Sequence, residues 1–99
     1  MTMTEEQIKT ELREGRVLVD FFATWCNPCK ALSPILDKFA EETNEIKVIK
    51  IDIDQHHETA SAFHVRGVPT LCYLEDGELV DTKTGVQSIS SLRSLTKLD

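Results

Sequence analysis

A chain of 99 residues, 40% of them apolar and with a net charge of −6, has room for one hydrophobic core beneath an acidic surface. Because it carries no cluster of Lys or Arg and no apolar run of bilayer length, nucleic acid and membranes are excluded as expected partners. The first six residues lack a basic and an apolar signal region, so we expect a cytosolic protein, although a secreted form with its signal removed would look the same. We also expect one domain over residues 1–99 and a monomer.

The chain opens with a helix and a buried strand. Thr4 and Gln7 have the spacing of a capping box and predict a first helix over about residues 5–14. Residues 17–23 then form a β-branched and aromatic run without polar alternation, which is typical of a strand buried on both faces. Asp20 is the one charged residue in this run, so a carboxylate is expected inside the sheet.

Residues 29–42 carry apolar side chains at helical spacing and predict a second helix. Pro34 lies inside it and should kink the helix without ending it, because the apolar period continues beyond. The remaining predicted elements are a strand at 47–53, a short helix at 58–63, a strand at 70–74, a hairpin turn at 76–77, a strand at 78–83 and a helix at 89–98 capped by Ser88 or Ser90. The order αβαβαββα predicts an α/β fold with a mixed sheet flanked by helices.

Two cysteines, Cys26 and Cys29, lie between the first strand and the second helix. A thiolate at a helix N-terminus is stabilised by unpaired backbone N–H groups, which favours Cys26 as an exposed nucleophile. Cys29, one turn into the helix and more sheltered, is spaced to attack a mixed disulfide formed at Cys26. The pattern therefore indicates thiol-disulfide exchange.

Other interpretations of the cysteines and histidines are weaker. A structural zinc site needs further ligands, but there is no second Cys pair, and His56, His57 and His64 do not follow at zinc-finger spacing. We expect solvated surface positions for the histidines. Cys72 falls within a predicted strand and is interpreted as a small buried hydrophobic residue, not as a third redox centre.

Residues 19–30, VDFFATWCNPCK, resemble the active-site region of the thioredoxin family. Further segments resemble that family in the same order, at residues 33–36, 50–54, 66–70, 76–77 and 85. The similarity runs from about residue 17 to the end of the chain. The resemblance implies a thioredoxin fold with a central sheet of about four strands, because the N-terminal segment is short and we expect the family's first strand, which precedes the first helix, to be missing.

The resemblance also implies roles for single residues. Cys26 matches the attacking cysteine and Cys29 the resolving one. Asp20 matches the buried carboxylate that moves protons behind them, and Lys50 matches its charge partner. A lysine on a strand also commonly reaches solvent along its stem, so the role of Lys50 is open.

A second group of residues matches the surface that binds substrate. Pro69 matches the family's cis-proline facing the disulfide, and Val68 offers backbone hydrogen bonds to an extended substrate. The flat apolar docking surface is matched by Trp25, Gly67, Pro69 and Gly85. A cis peptide at residue 69 is also physically plausible, because only X-Pro bonds adopt it at modest cost.

The function implied by the resemblance is reduction of protein disulfides in electron transport and redox homeostasis. No cofactor is expected beyond the redox-active Cys26–Cys29 disulfide, since the chain has no glycine-rich nucleotide motif. A separate flavin-dependent thioredoxin reductase that uses NADPH would return the dithiol. Two departures, Asn27 in place of the usual glycine and the short N-terminal segment, keep a dedicated redox partner of one enzyme or pathway open as an alternative. Phe22 in place of a tryptophan is a milder departure. A non-catalytic interaction module is a further alternative, and an oxidase or isomerase is disfavoured because no export signal is visible.

Overall fold

The computed structural model describes residues 3–98 and contains four helices and four strands within them. In chain order they are α1 Glu5–Leu12, β1 Arg16–Phe22, α2 Asn27–Glu42, β2 Ile46–Asp52, α3 His57–Ala62, β3 Thr70–Glu75, β4 Glu78–Thr84 and α4 Ile89–Leu95. Each predicted element is present in the predicted order. Among residues 3–98, no helix is both long and apolar enough to cross a membrane.

The four strands form one mixed sheet in the order β2-β1-β3-β4. β1 and β2 run parallel, connected by α2 as a crossover helix, whereas β3 is antiparallel to both β1 and β4. The predicted four-stranded mixed sheet is therefore confirmed. Along residues 3–98 the chain enters α1 directly, without a strand before it.

Alternation along β1 separates two apolar cores, one on each face of the sheet. Val17, Val19 and Phe21 pack with α1 and α3, whereas Leu18 packs with α2 and α4. Asp20 has the same parity as Leu18 and therefore points toward the α2 face. This alternation places a carboxylate beneath the helix that carries the cysteines.

Side-chain caps fix the helix ends, and they correct one prediction. The capping box at Thr4 is present, and α4 begins after Ser88, whose hydroxyl accepts the N–H of Ser91. The last helix stops at Leu95 instead of continuing to Leu98. The reason is local: the Thr96 hydroxyl donates back to the carbonyl of Leu92, and Lys97 takes a left-handed backbone conformation with φ of 58°.

The surface position expected for His56 is wrong. His56 lies directly before α3, is only 6% exposed, and places Nδ1 3.4 Å from Oε1 of Glu5. The sequence around it is polar, so local pattern gave no sign of burial. Glu5 on α1 lies beside the imidazole and also accepts a hydrogen bond from the Thr59 hydroxyl on α3, so a contact between distant segments accompanies the burial.

Candidate active site

The Cys26–Cys29 pair stands where β1 gives way to α2. Cys26 is the residue that caps α2, with an extended backbone, and Cys29 lies in the first turn of the helix. The two form a disulfide, so the predicted pairing is confirmed. The backbone N–H of Cys29 points at Cys26 Sγ over 3.2 Å, which gives that sulfur the donor a thiolate would need.

Burial does not distinguish the two cysteine residues, contrary to the expectation that Cys26 is exposed. In the disulfide form Cys26 is 4% exposed and Cys29 is 5% exposed. Cys26 is covered because Val68 packs against the disulfide from another loop, with its carbonyl oxygen 3.7 Å from Cys26 Sγ. The hydrogen bond from the helix, and not accessibility, is therefore the feature that sets Cys26 apart.

Asp20 lies behind the disulfide, buried in β1. A cavity of about 260 Å³ is lined by both Asp20 and Cys29. Burial raises the pKa of Asp20 from 3.8 to about 6, and the positive charge of Lys50 offsets part of that rise. Oδ1 of Asp20 has no hydrogen-bond partner among residues 3–98. The buried carboxyl group thus lies beside Cys29 with a pKa raised by desolvation.

Lys50 lies beside Asp20 on the neighbouring strand, but its ammonium group binds other residues. The two residues are directly paired in the parallel register of β1 and β2. Instead of closing on Asp20, Nζ of Lys50 donates to Oγ of Ser33 at 2.7 Å and to Oδ1 of Asp37 at 2.9 Å, both on α2. Sequence reasoning missed these two residues, although their spacing of four places them on one helix face with Cys29.

The loops that carry the expected docking residues are bonded to each other. The Val68–Pro69 peptide is cis, as the resemblance implies. The backbone N–H of Gly85 donates to the carbonyl of Pro69 at 2.9 Å, and Gly85 has a φ of 84°, a conformation that favours glycine. Within the first loop, the Thr70 hydroxyl donates to the carbonyl of Gly67 at 2.6 Å. The two loops thus form one surface beside Cys26.

Trp25 lies next to Cys26 and is 66% exposed, an unusual state for a large aromatic side chain. Its indole N–H donates to Oδ2 of Asp54 at 3.0 Å, which anchors the ring while leaving its face in solvent. Val86, which follows Gly85, is also exposed. Neither Asp54 nor Val86 was assigned from sequence; for Asp54 the signal was a carboxylate placed just after a strand.

Cys72 is fully buried in β3, as expected, and burial raises the pKa of its thiol. Within residues 3–98, no group of three or more His, Cys, Asp or Glu side chains is arranged to hold a metal ion.

Comparison with known proteins agrees with this geometry. The family model for thioredoxin matches residues 1–97. Thioredoxin from Bacillus subtilis is 41% identical over 93 residues, which cover 93% of this chain and 89% of the relative. Thioredoxin from Rickettsia prowazekii is 41% identical over 93 residues, which cover 91% of this chain and 89% of the relative. The structure of a mutant thioredoxin from Halobacterium salinarum is 38% identical with a TM-score of 0.85, covering 99% of this chain and 90% of that one.

Proposed function

The chain belongs to the thioredoxin family, and we propose that it reduces disulfide bonds in proteins with the dithiol of Cys26 and Cys29. The observation that carries this proposal is the disulfide closed on the first turn of α2, with the N–H of Cys29 directed at Cys26 Sγ. A donor at that sulfur stabilises a thiolate, and the thiolate is the species that attacks a disulfide. Cys26 is accordingly the nucleophile.

The reaction proceeds in two exchanges. In the reduced protein, the Cys26 thiolate attacks one sulfur of the substrate disulfide, forms a mixed disulfide and releases the other substrate sulfur as a thiolate. Asp20 then accepts the proton of the Cys29 thiol, and the resulting thiolate attacks Cys26 Sγ. The Cys26–Cys29 disulfide closes, the second substrate sulfur leaves as a thiolate, and two electrons have passed to the substrate, whose two thiolates then take up protons.

The loops around Cys26 are suited to hold an extended segment of a protein substrate. The exposed face of Trp25, together with Gly67, Val68, Gly85 and Val86, offers a largely apolar area, whereas Pro69 itself is buried. The backbone of Val68 pairs with a substrate strand next to its disulfide in this proposal, which is supported by the 3.7 Å distance between the Val68 carbonyl oxygen and Cys26 Sγ. Substrates are therefore proteins with an accessible disulfide in an extended segment.

The oxidised chain must be reduced again for a second turnover. We propose that a flavin-dependent thioredoxin reductase using NADPH does this, and that the chain works as a cytoplasmic monomer in electron transport and redox homeostasis. The thioredoxin relatives of comparable length support this proposal. No step requires a cofactor bound to the chain itself.

The test measures reduction of an unrelated model protein, insulin, by dithiothreitol with and without the chain. A second arm replaces dithiothreitol by NADPH and thioredoxin reductase. Catalysis in both arms is the expected result for a general reductase, and the Cys26→Ser variant is the matched control that should be inactive in both. Absence of catalysis in both arms would leave only a binding role and overturn the proposal.

A dedicated partner of one enzyme is the second candidate, and Asn27 is the observation that favours it. Asn27 is the first residue of α2 and is exposed between the two sulfurs, where the family usually has glycine. Activity of the chain with dithiothreitol but not with the reductase would indicate this dedicated function.

Asn27→Gly is expected to shift the redox potential by roughly 10 to 30 mV. The fold should stay intact, because a shift of about 30 mV corresponds to a free-energy change of only about 1.4 kcal/mol. The physical reason is that residue 27 begins the helix turn whose N–H groups stabilise the reduced sulfur. Equilibration with glutathione, followed by quantification of the dithiol, measures the potential. Asn44→Gly, at the opposite end of α2 about 24 Å away, is the matched control. Equal potentials for the parent and the Asn27 variant would remove Asn27 as a source of specialisation.

A further inference from the structure

Lys50 is held by the helix above it instead of by the carboxylate beside it. Its register places it opposite Asp20, on the same face of the sheet. Its ammonium nevertheless donates to Ser33 Oγ at 2.7 Å and to Asp37 Oδ1 at 2.9 Å. Among the ion pairs formed by residues 3–98, Lys50 pairs with Asp37 and not with Asp20. Two groups on α2 thus compete with Asp20 for one positive charge.

The competing groups lie on the same helix face as the resolving cysteine. Cys29, Ser33 and Asp37 are spaced by four residues along α2, so they follow one side of the helix from the buried Cys29 to the exposed Asp37. The cavity behind the disulfide is lined by Cys29, Ser33, Lys50 and Asp20. The distance between the Lys50 ammonium and Asp20 therefore sets how strongly the positive charge acts on the carboxyl group.

We propose that Ser33 and Asp37 are positioning residues that hold the Lys50 ammonium on α2 and so keep Asp20 free of a direct ion pair. This inference rests on the proposed function, in which Asp20 accepts the proton of Cys29. An ammonium in contact with a carboxylate favours the charged form strongly, and this effect weakens with distance. A carboxylate held in an ion pair is the weaker base, so holding Lys50 back preserves the basicity that the second exchange needs.

Other charged groups around Asp20 are few and stay unchanged in the test. Lys50 faces it from β2 and Lys30 from α2, and both line the same cavity, whereas Cys29 is held in the disulfide of the oxidised protein and does not titrate. Its partner in β3 is Leu71, which does not titrate. A change in titration of Asp20 on altering Ser33, which carries no charge, therefore reports movement of Lys50.

The strength of the contacts between Lys50 and α2 sets the expected change in the titration midpoint of Asp20. The Asp37 side chain is 67% exposed and that of Lys50 is 33% exposed, so their ion pair is worth no more than a partly exposed pair usually is. Each anchor alone should accordingly have a modest influence. Removing both should release the ammonium toward Asp20.

The experiment follows the carboxyl carbon of Asp20 by NMR across pH in the oxidised protein. We expect Ser33→Ala and Asp37→Asn each to lower the pH midpoint of Asp20 by about 0.3, and the double variant to lower it by about 0.5 or more. Glu41→Gln, one turn further along α2, removes the same charge as Asp37→Asn without touching Lys50 and should shift the midpoint less. Alanine at residue 33 is a good helix former, so the fold should be retained, and thermal unfolding checks this.

The same substitutions in a Lys50→Met background separate positioning from mere proximity. With no ammonium to hold, Ser33→Ala should leave the Asp20 midpoint unchanged. A midpoint that stays constant or rises in the single variants, or a Ser33→Ala shift that persists without Lys50, would overturn the proposal. The titration needs no turnover, so it does not depend on the activity of the chain. If Asp20 were not the base, Asp20→Asn would keep full reductase activity, while Ser33→Ala and Asp37→Asn would still lower the Asp20 midpoint in chains that retain Asp20.

Discussion

Cys29→Ser is expected to leave the chain covalently joined to its substrate. Cys26 can still attack a substrate disulfide, but no second sulfur remains to release the mixed disulfide, so the first exchange occurs and the second does not. Multiple turnover of insulin should fall by at least about 100-fold, since loss of a group that acts in the chemical step has effects of this size or larger. Non-reducing electrophoresis and intact-protein mass spectrometry measure the adduct.

The matched variants make this prediction specific. Cys26→Ser should form no adduct, and Cys72→Ser should behave as the parent in exchange because that thiol is fully buried in β3. In the reduced parent, an alkylating reagent should modify Cys26 first, because the N–H of Cys29 stabilises its thiolate. If Cys26→Ser captured substrate as well as Cys29→Ser does, the two roles would have to be exchanged.

Asp20→Asn is expected to make the oxidised protein more stable at pH 8 and slower in exchange. Burial raises the pKa of Asp20 from 3.8 to about 6. The folded parent therefore binds this proton more tightly than the unfolded chain does. The stability that this carboxyl contributes is full below pH 3.8 and is lost as the pH rises through about 6, because the buried group must then ionise.

Asparagine never ionises, so the variant avoids this loss. The free energy of unfolding of the variant relative to the parent should increase by roughly 2 kcal/mol between pH 4 and pH 8, with most of the change between pH 4 and 6. Urea denaturation at both pH values measures this difference. Asp81→Asn, an exposed substitution on β4, is the control and should show no such pH dependence. A variant at Asp20 that is less stable than the parent at pH 8 would contradict the prediction.

The same variant should reduce insulin more slowly, by about 10²-fold if Asp20 is the base for Cys29. The second exchange is the step affected, so the mixed disulfide should persist longer than in the parent. Rapid acid quenching during reduction of insulin measures its lifetime. Reduction at the rate of the parent would show that the carboxyl does not accept the proton.

Much of the fold follows from local sequence signals. The run around Asp20 has the composition of a buried strand, and the stripe beyond Pro34 carries α2 through the proline to Glu42. Hairpin and capping residues act over three or four positions, so their effects can be recognised without the rest of the chain. The end of α4 was placed too late because Leu98 continues the apolar period even though the backbone leaves the helix before it.

The sequence predicts the Cys26–Cys29 pair as the redox centre, because the pair lies between a buried strand and a helix and the flanking motifs resemble those of one family. Tertiary structure alone decided what those residues touch. Whether Lys50 binds Asp20 or α2, whether Val68 covers Cys26, and whether His56 is buried all depend on distances between segments far apart in the chain. Periodicity reports which face of an element is apolar, but a long side chain on that face chooses among partners brought together only by packing.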